Sequence, residues 1–300
     1  MKAELKGVLP VLHMPYHHDY EIDFDTLGAE VDHVYACGAD GIVFALASEL
    51  LRLTETERKR VAEFLVEANR ERGSVTISVG AESTFAAVQY ARHAEQAGAT
   101  AVMAIPPIAT IPDEAGLRDY YGALCEAVSL PVVVQDASAY MGRPMSIAFQ
   151  ASLLVDYGER VCFKPEASPV GPLISALRQA TGNRARILEG SGGAMLAENY
   201  RRGIAGTMPG SDLLPAIVAL WRGLEANDED LIYRIAPLIG AIQALGTGLD
   251  GYLAIEKYLL KRQGVFHNTL VRGPVGFRLD AALTAELDRL YERLQAACMP

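Results

Sequence analysis

Short apolar runs alternate with longer amphipathic ones along most of the chain. The short runs lie at residues 7–13, 41–46, 75–80, 101–106, 131–136, 161–164, 186–190 and 205–209. They are mostly apolar on both faces, which is how a parallel strand covered on both sides reads. Between them, residues 25–37, 54–72, 84–97, 113–127, 145–156, 170–181, 193–202 and 213–226 carry apolar side chains at three- and four-residue spacing. That spacing predicts helices. Thr54-Glu55-Thr56-Glu57 has the form of a capping box, and Asp113 follows Pro112 at the start of another helix. Glycine closes several helices, as in Cys37-Gly38-Ala39-Asp40, Ala97-Gly98-Ala99-Thr100 and Arg202-Gly203-Ile204-Ala205, and a strand follows almost at once.

Strict alternation of strand and helix predicts a parallel sheet with helical crossovers. Eight units predict a closed (β/α)₈ TIM barrel rather than an open doubly wound sheet. The open fold would want a glycine-rich phosphate loop after its first strand, and here that place holds His13-Met14-Pro15-Tyr16-His17-His18. Residues 228–246, 251–262 and 280–297 read as further helices without intervening strands. The expected organisation is a barrel over residues 1–226 and a C-terminal helical extension over 227–300 packed on it.

Composition narrows the class of partner. The chain has 300 residues, 50% hydrophobic and 21% charged, enough apolar material for one large core. A formal net charge of −10 repels phosphate backbones, so no nucleic-acid partner is expected. The four cysteines are scattered and form no C-x-x-C pair, which argues against a disulfide framework or a zinc site and suits a reducing cytoplasm. The N-terminal residues lack the apolar run of a signal peptide, and no stretch approaches the ~18 apolar residues of a membrane span. A cytoplasmic protein with no membrane partner is the expectation.

Barrel enzymes carry their chemistry at the C-terminal ends of strands and in the loops that follow. That filter leaves His13, Ser48, Glu49, Gln135, Asp136, Lys164, Glu166, Glu189 and Thr207. Lys164 ends the apolar strand Val161-Cys162-Phe163-Lys164. It is either a strand-end lysine reaching solvent or an amine whose desolvation lets it attack a carbonyl; position alone does not choose. Gln135 and Asp136 end the fifth strand and could position a proton donor or a substrate hydroxyl, although Asp136 also fits an Asx turn. Glu189 ends the seventh strand before Gly190-Ser191-Gly192-Gly193, where the glycines either admit a ligand close to the backbone or merely turn. His17 and His18 lack the further ligands of a metal site and read as a solvated loop; His93 falls mid-helix and His267 in the extension. No phosphate-binding loop, nucleophile elbow or H-E-x-x-H motif is present.

The order of motifs resembles the dihydrodipicolinate synthase / N-acetylneuraminate lyase family of class I aldolases. The likeness rests on Gly7-Val8-Leu9-Pro10, Ser48-Glu49 followed by Leu53-Thr54-Glu55-Thr56-Glu57-Arg58, and His93-Ala94-Glu95-Gln96-Ala97-Gly98-Ala99. It continues through Leu130-Pro131-Val132-Val133, Phe163-Lys164-Pro165-Glu166 and Arg272-Gly273-Pro274. The resemblance implies a (β/α)₈ barrel with a helical extension, a homotetramer, a pyruvate or other 2-keto acid substrate, no cofactor and no metal. It also makes Lys164 the Schiff-base lysine.

Departures from the family pattern fall at the site. The hydroxyl-rich Gly-Thr-Thr-Gly-Glu string after the second strand is here Ala45-Leu46-Ala47-Ser48-Glu49, leaving Ser48 and the backbone at Ala47 to hold the keto-acid carboxylate. The family's proton-shuttling tyrosine is replaced by Gln135, its tyrosine pair after the fourth strand by Ile108-Ala109, and the arginine for a second carboxylate falls near Tyr140. These changes argue against dihydrodipicolinate synthesis and ordinary sialate cleavage. Met103-Ala104-Ile105-Pro106-Pro107, Val134-Gln135-Asp136-Ala137 and Phe163-Lys164-Pro165-Glu166 with Pro169 resemble the 2-keto-3-deoxy-sugar-acid dehydratases of the L-2-keto-3-deoxyarabonate type. In that branch an aromatic is kept near position 108, where this chain has Ile108.

The expected catalytic set is therefore Lys164, Gln135 and Glu166, with Ala47, Ser48, Asp136, Glu189, Gly190 and Thr207 around the substrate. Gln135 is an amide and does not titrate, so Glu166, Glu189, a water or the substrate carboxylate would be the base. Three alternatives remain open on sequence: a dehydratase, a pyruvate-dependent aldolase using the same enamine, and a sugar-acid binder that has lost catalysis. A metal-dependent aldolase has no ligand cluster to support it.

Overall fold

In the computed structural model, which describes residues 4–138 and 143–299, eight parallel strands pair in the order β1-β8-β7-β6-β5-β4-β3-β2. They are β1 (Gly7–Val8), β2 (Gly41–Phe44), β3 (Ser74–Ser78), β4 (Ala101–Ala104), β5 (Val132–Gln135), β6 (Val161–Lys164), β7 (Arg186–Glu189) and β8 (Gly206–Thr207). A parallel bridge from Val11 to Val43 joins the β1 segment to β2 and closes the ring. The result is the (β/α)₈ TIM barrel that the alternation predicts.

Eight helices follow the strands: α1 (Phe24–Cys37), α2 (Glu55–Asn69), α3 (Thr84–Ala97), α4 (Glu114–Ala127), α5 (Ile147–Tyr157), α6 (Val170–Ala180), α7 (Leu196–Arg201) and α8 (Leu214–Ala226). Asp23, Thr54, Ser83, Asp113 and Ser146 each accept a backbone N–H at a helix start, and Thr54 with Glu57 completes the capping box. Gly38 and Gly98 close α1 and α3 in the left-handed conformation, at φ 98° and 101°.

Some boundaries differ from the sequence expectation for local reasons. The ladder between β1 and β8 stops at Val8 because Pro209, on the segment after β8, has no N–H to offer the Leu9 carbonyl, although the chain keeps its place through Val11. The seventh helix begins at Leu196 rather than 193, because Gly192 and Gly193 take positive φ and turn the chain first. The second ends at Asn69, since Arg70 and Glu71 are both left-handed.

Strand parity sorts side chains into two cores. Leu9, Val11, Val43, Ala101, Met103, Val133, Cys162, Leu188 and Met208 fill the barrel interior. Their neighbours Val8, Ile42, Phe44, Val102, Val132, Val134, Phe163 and Ile187 pack outward against the helices. Lys164 shares the inward parity of Cys162, and Gln135 that of Val133. Both therefore stand over the barrel's mouth.

Three further helices complete the chain: α9 (Glu229–Gln243), α10 (Gly248–Arg262) and α11 (Ala281–Cys298). Helix α9 packs on α8 and α11, while α10 reaches the barrel mouth. Lys257 of α10 is fully buried; it donates to the carbonyls of Met14 and Leu270 and pairs with Glu49. Arg52 adds a second tie to α10 through Asp250 at 2.6 Å. Among the described residues no single helix is long and apolar enough to cross a membrane.

Candidate active site

A narrow cleft opens at the C-terminal ends of the strands. Gln135, Lys164 and Glu166 line one side, Ala45, Leu46 and Ala47 another. Met208, Gly210, Tyr252 and Glu256 complete it from β8 and α10.

Lys164 is almost wholly buried and its Nζ donates to Glu166 Oε1 at 2.7 Å. Pro165 separates the two without turning Glu166 away, so both side chains enter the cleft. Gln135 Nε2 donates to Glu166 Oε2 at 2.8 Å and fixes the carboxylate against the amine. The other Gln135 amide atom, Oε1, is buried without a hydrogen-bond partner. Gly190 is required by this arrangement: a Cβ there would stand 2.9 Å from both Cε and Nζ of Lys164. An added methyl would therefore have to displace the end of the Lys164 side chain from its place beside Glu166.

The pair has a direct chemical use. A buried ammonium is not nucleophilic, and its partner carboxylate is a short hydrogen bond away. Transfer of the proton along that bond yields a neutral amine and a carboxylic acid without moving a heavy atom. Once the amine is consumed in an imine, the same carboxyl group is placed to take or return a proton at an adjacent carbon.

The remaining expected residues separate by parity. Ala47 and Gly190 line the cleft. Ser48 does not: its hydroxyl donates to the carbonyl of Leu12 and accepts from the Ala45 N–H, so it braces the loop after β2. Asp136 has the opposite parity to Gln135. Its carboxylate accepts from the N–H groups of Ser138 and Met145, at 3.0 and 2.9 Å, making the Asx turn. Glu189 and Thr207 likewise alternate with the inward Leu188 and Met208. Glu189 accepts from Thr207 Oγ1 at 2.7 Å and from the Ser191 N–H at 2.6 Å, and it ties β7 to β8 behind the cleft. Ser48, Asp136, Glu189 and Thr207 thus spend their side chains on the loops and strand ends around the cleft. Position 140 lies outside the described residues.

Sequence reasoning placed no role on Tyr252 or Glu256, because both belong to the extension. Burial, and then the charges of Glu256 and Glu166, raise the Tyr252 phenol above its ordinary range. Tyr252 lines the same cleft as both carboxylates. Glu256 Oε2 bonds His13 Nε2 at 2.7 Å, and His13 Nδ1 faces Ser211 Oγ at 2.9 Å and Glu30 Oε1 at 3.1 Å. Burial alone would lower the His13 imidazole, but Glu256 and Glu30 outweigh it and raise it to about 10. His13 shares the inward parity of Leu9 and Val11, which was the available signal.

A sequence model of the dihydrodipicolinate synthetase family matches residues 4–277. The chain belongs to this family. The family relationship also makes it a lyase of the class I, Schiff-base type. The 4-hydroxy-tetrahydrodipicolinate synthase of Rhizobium meliloti is 29% identical over 289 residues, covering 94% of this chain and 96% of that one. The synthase of Chelativorans is 28% identical over 290 residues, with 93% and 97% covered. Among solved structures, dihydrodipicolinate synthase from Rhodopseudomonas palustris superposes with a TM-score of 0.86 at 26% identity, covering 98% and 99% of the two chains. The dihydrodipicolinate synthetase family likeness thus includes the extension as well as most of the barrel.

Proposed function

We propose that this family member is a dehydratase of a 2-keto-3-deoxy sugar acid, with Lys164 as its Schiff-base nucleophile. The observation that carries the reading is the Lys164–Glu166–Gln135 constellation. It puts a carboxylate beside the amine in a chain whose fifth strand ends in an amide. Lys164 gives its proton to Glu166 and adds to the C2 ketone; Glu166 then returns that proton to the carbinolamine hydroxyl, which leaves as water, so that a protonated imine and the Glu166 carboxylate remain. The imine withdraws electrons from C3, and Glu166 takes a C3 proton to form the enamine. The enamine then pushes out the C4 hydroxyl, which leaves as water with one added proton. Hydrolysis of the resulting conjugated imine frees Lys164. Ala45, Leu46 and Ala47 lie where the C1 carboxylate would meet backbone rather than the family's hydroxyls.

Aldol cleavage shares the enamine and is the second reading; the 4-hydroxy-tetrahydrodipicolinate synthases that resemble the chain favour it by name. Proton NMR of the enzyme with a panel of 2-keto-3-deoxy acids separates the two. Dehydration leaves the carbon skeleton whole, whereas cleavage releases pyruvate and an aldehyde. Neither reaction across the panel would leave a binding role and defeat the proposal. We extend the reading to a cytoplasmic homotetramer. The unpaired cysteines support the compartment, and the family resemblance alone supports the assembly.

A further inference from the structure

Expulsion of a hydroxyl needs an acid as well as a base. Lys164, Glu166 and Gln135 all project from β5 and β6 or just beyond, so they occupy one side of the mouth. Facing them, over the β8 and β1 ends, stands Glu256 of α10. Its Oε2 is held by His13, and its Oε1 lies over Gly210. A Cβ at Gly210 would collide with both Glu256 Oε1 and Asp212 Oδ1, so these two carboxylates flank the space that the missing side chain leaves open. Asp212 is buried, and neither of its oxygens receives a hydrogen bond from another side chain.

Two buried carboxylates that flank one residue repel as anions, and a single proton held between them relieves that repulsion. Burial, and then the charge of Glu256, raises Asp212 to about 7, in keeping with such sharing. His13, itself braced by Glu30 and Ser211, keeps Glu256 from swinging away.

Resting on the dehydratase reading above, we propose that Glu256, sharing a proton with Asp212 across Gly210, is the acid that protonates the departing C4 hydroxyl. In that step the enamine's electrons form the C3–C4 double bond and the C4–O bond breaks. The Glu256 proton joins the hydroxyl to make water, and Glu256 is left as a carboxylate beside His13. Glu166 still holds the C3 proton, so the protein's net charge is unchanged; proton exchange with solvent resets both groups as product leaves. Helix α10 thereby contributes a catalytic residue to the barrel, and Tyr252, one helical turn earlier, lines the same cleft.

The test compares two leaving groups. A hydroxyl needs a proton to depart, whereas fluoride does not. Glu256→Gln is expected to lose dehydration by about 10²–10⁴-fold. It is also expected to release fluoride from the 4-fluoro analogue of the same 2-keto acid within about threefold of the parent enzyme. Glu256→Asp keeps the carboxyl group and guards against a misfolded amide variant; it is expected to show the same split, less severely. Equal loss of both reactions in the folded variants, or undiminished dehydration, would overturn the role of Glu256 while leaving the dehydratase reading intact. An unaltered enzyme that dehydrates no 2-keto-3-deoxy acid would instead defeat the reading, and this role with it.

Discussion

Lys164 and Glu166 are joined by a 2.7 Å hydrogen bond across a single intervening proline. Each side chain is at least nine-tenths buried, so the pair is insulated from solvent and its proton stays local. Removing the carboxylate separates its two uses. Glu166→Gln is expected to lower kcat by about 10²–10⁴-fold, the usual worth of a placed acid–base group, while the imine still forms slowly. Steady-state kinetics beside borohydride trapping checks this; unchanged kcat would remove Glu166 from the mechanism.

Gly190 has no room for even one methyl group against Lys164. Gly190→Ala is expected to push the amine off its carboxylate and cut kcat/KM by at least about tenfold, with little change in fold because the site lies at a strand end. Activity together with circular dichroism decides it. Full activity in the alanine variant would mean that Lys164 works from another position.

Lys257 pairs with Glu49 inside the protein and anchors α10 to the barrel mouth. Burial lowers the Lys257 amine, and the Glu49 charge only partly offsets this, so the pair is held by geometry rather than by large excess stability. Lys257→Met leaves buried Glu49 with only the Arg272 N–H at 3.0 Å and the Arg52 guanidinium at 3.9 Å, and a loss of about 3–5 kcal/mol is expected in denaturant titration. Adding Glu49→Gln should restore much of it, since the uncompensated charge is gone.

Two buried groups bias stability toward lower pH. His13 is raised from 6.5 to about 10, so its contribution is complete below 6.5 and is lost as pH rises through 10. Asp212 is raised from 3.8 to about 7, so its protonated form favours the fold most below 3.8, and that benefit is lost as pH rises through 7. Asp212→Asn should therefore flatten the decline between about pH 4 and pH 7 and leave the His13 decline in place. Denaturant midpoints across pH 4 to 10 measure both windows.

Periodicity was enough for the barrel, because a strand covered on two sides and an amphipathic helix leave distinct patterns. Lys164 and Gln135 were legible for the same reason: each ends a short apolar strand. Inside and outside were harder. Asp136, Glu189 and Thr207 sit at strand ends like the cleft residues, but one step out of phase, and their carboxylates and hydroxyl serve turns and strand ties. Counting parity from Val133, Leu188 and Met208 would have separated them, and counting from Leu9 and Val11 would have brought His13 forward. Glu256 and Tyr252 had no such signal. They reach the cleft because α10 folds back over the mouth, through long-range ties between Lys257, Glu49 and the Met14 carbonyl that no local pattern encodes.

The account turns on Lys164 as the nucleophile. Borohydride added with a 2-keto acid, followed by peptide mass spectrometry, should place the reduced substrate adduct on the peptide that contains Lys164, and Lys164→Ala should abolish both adduct and turnover. An adduct on another lysine, or turnover retained by Lys164→Ala, would contradict it.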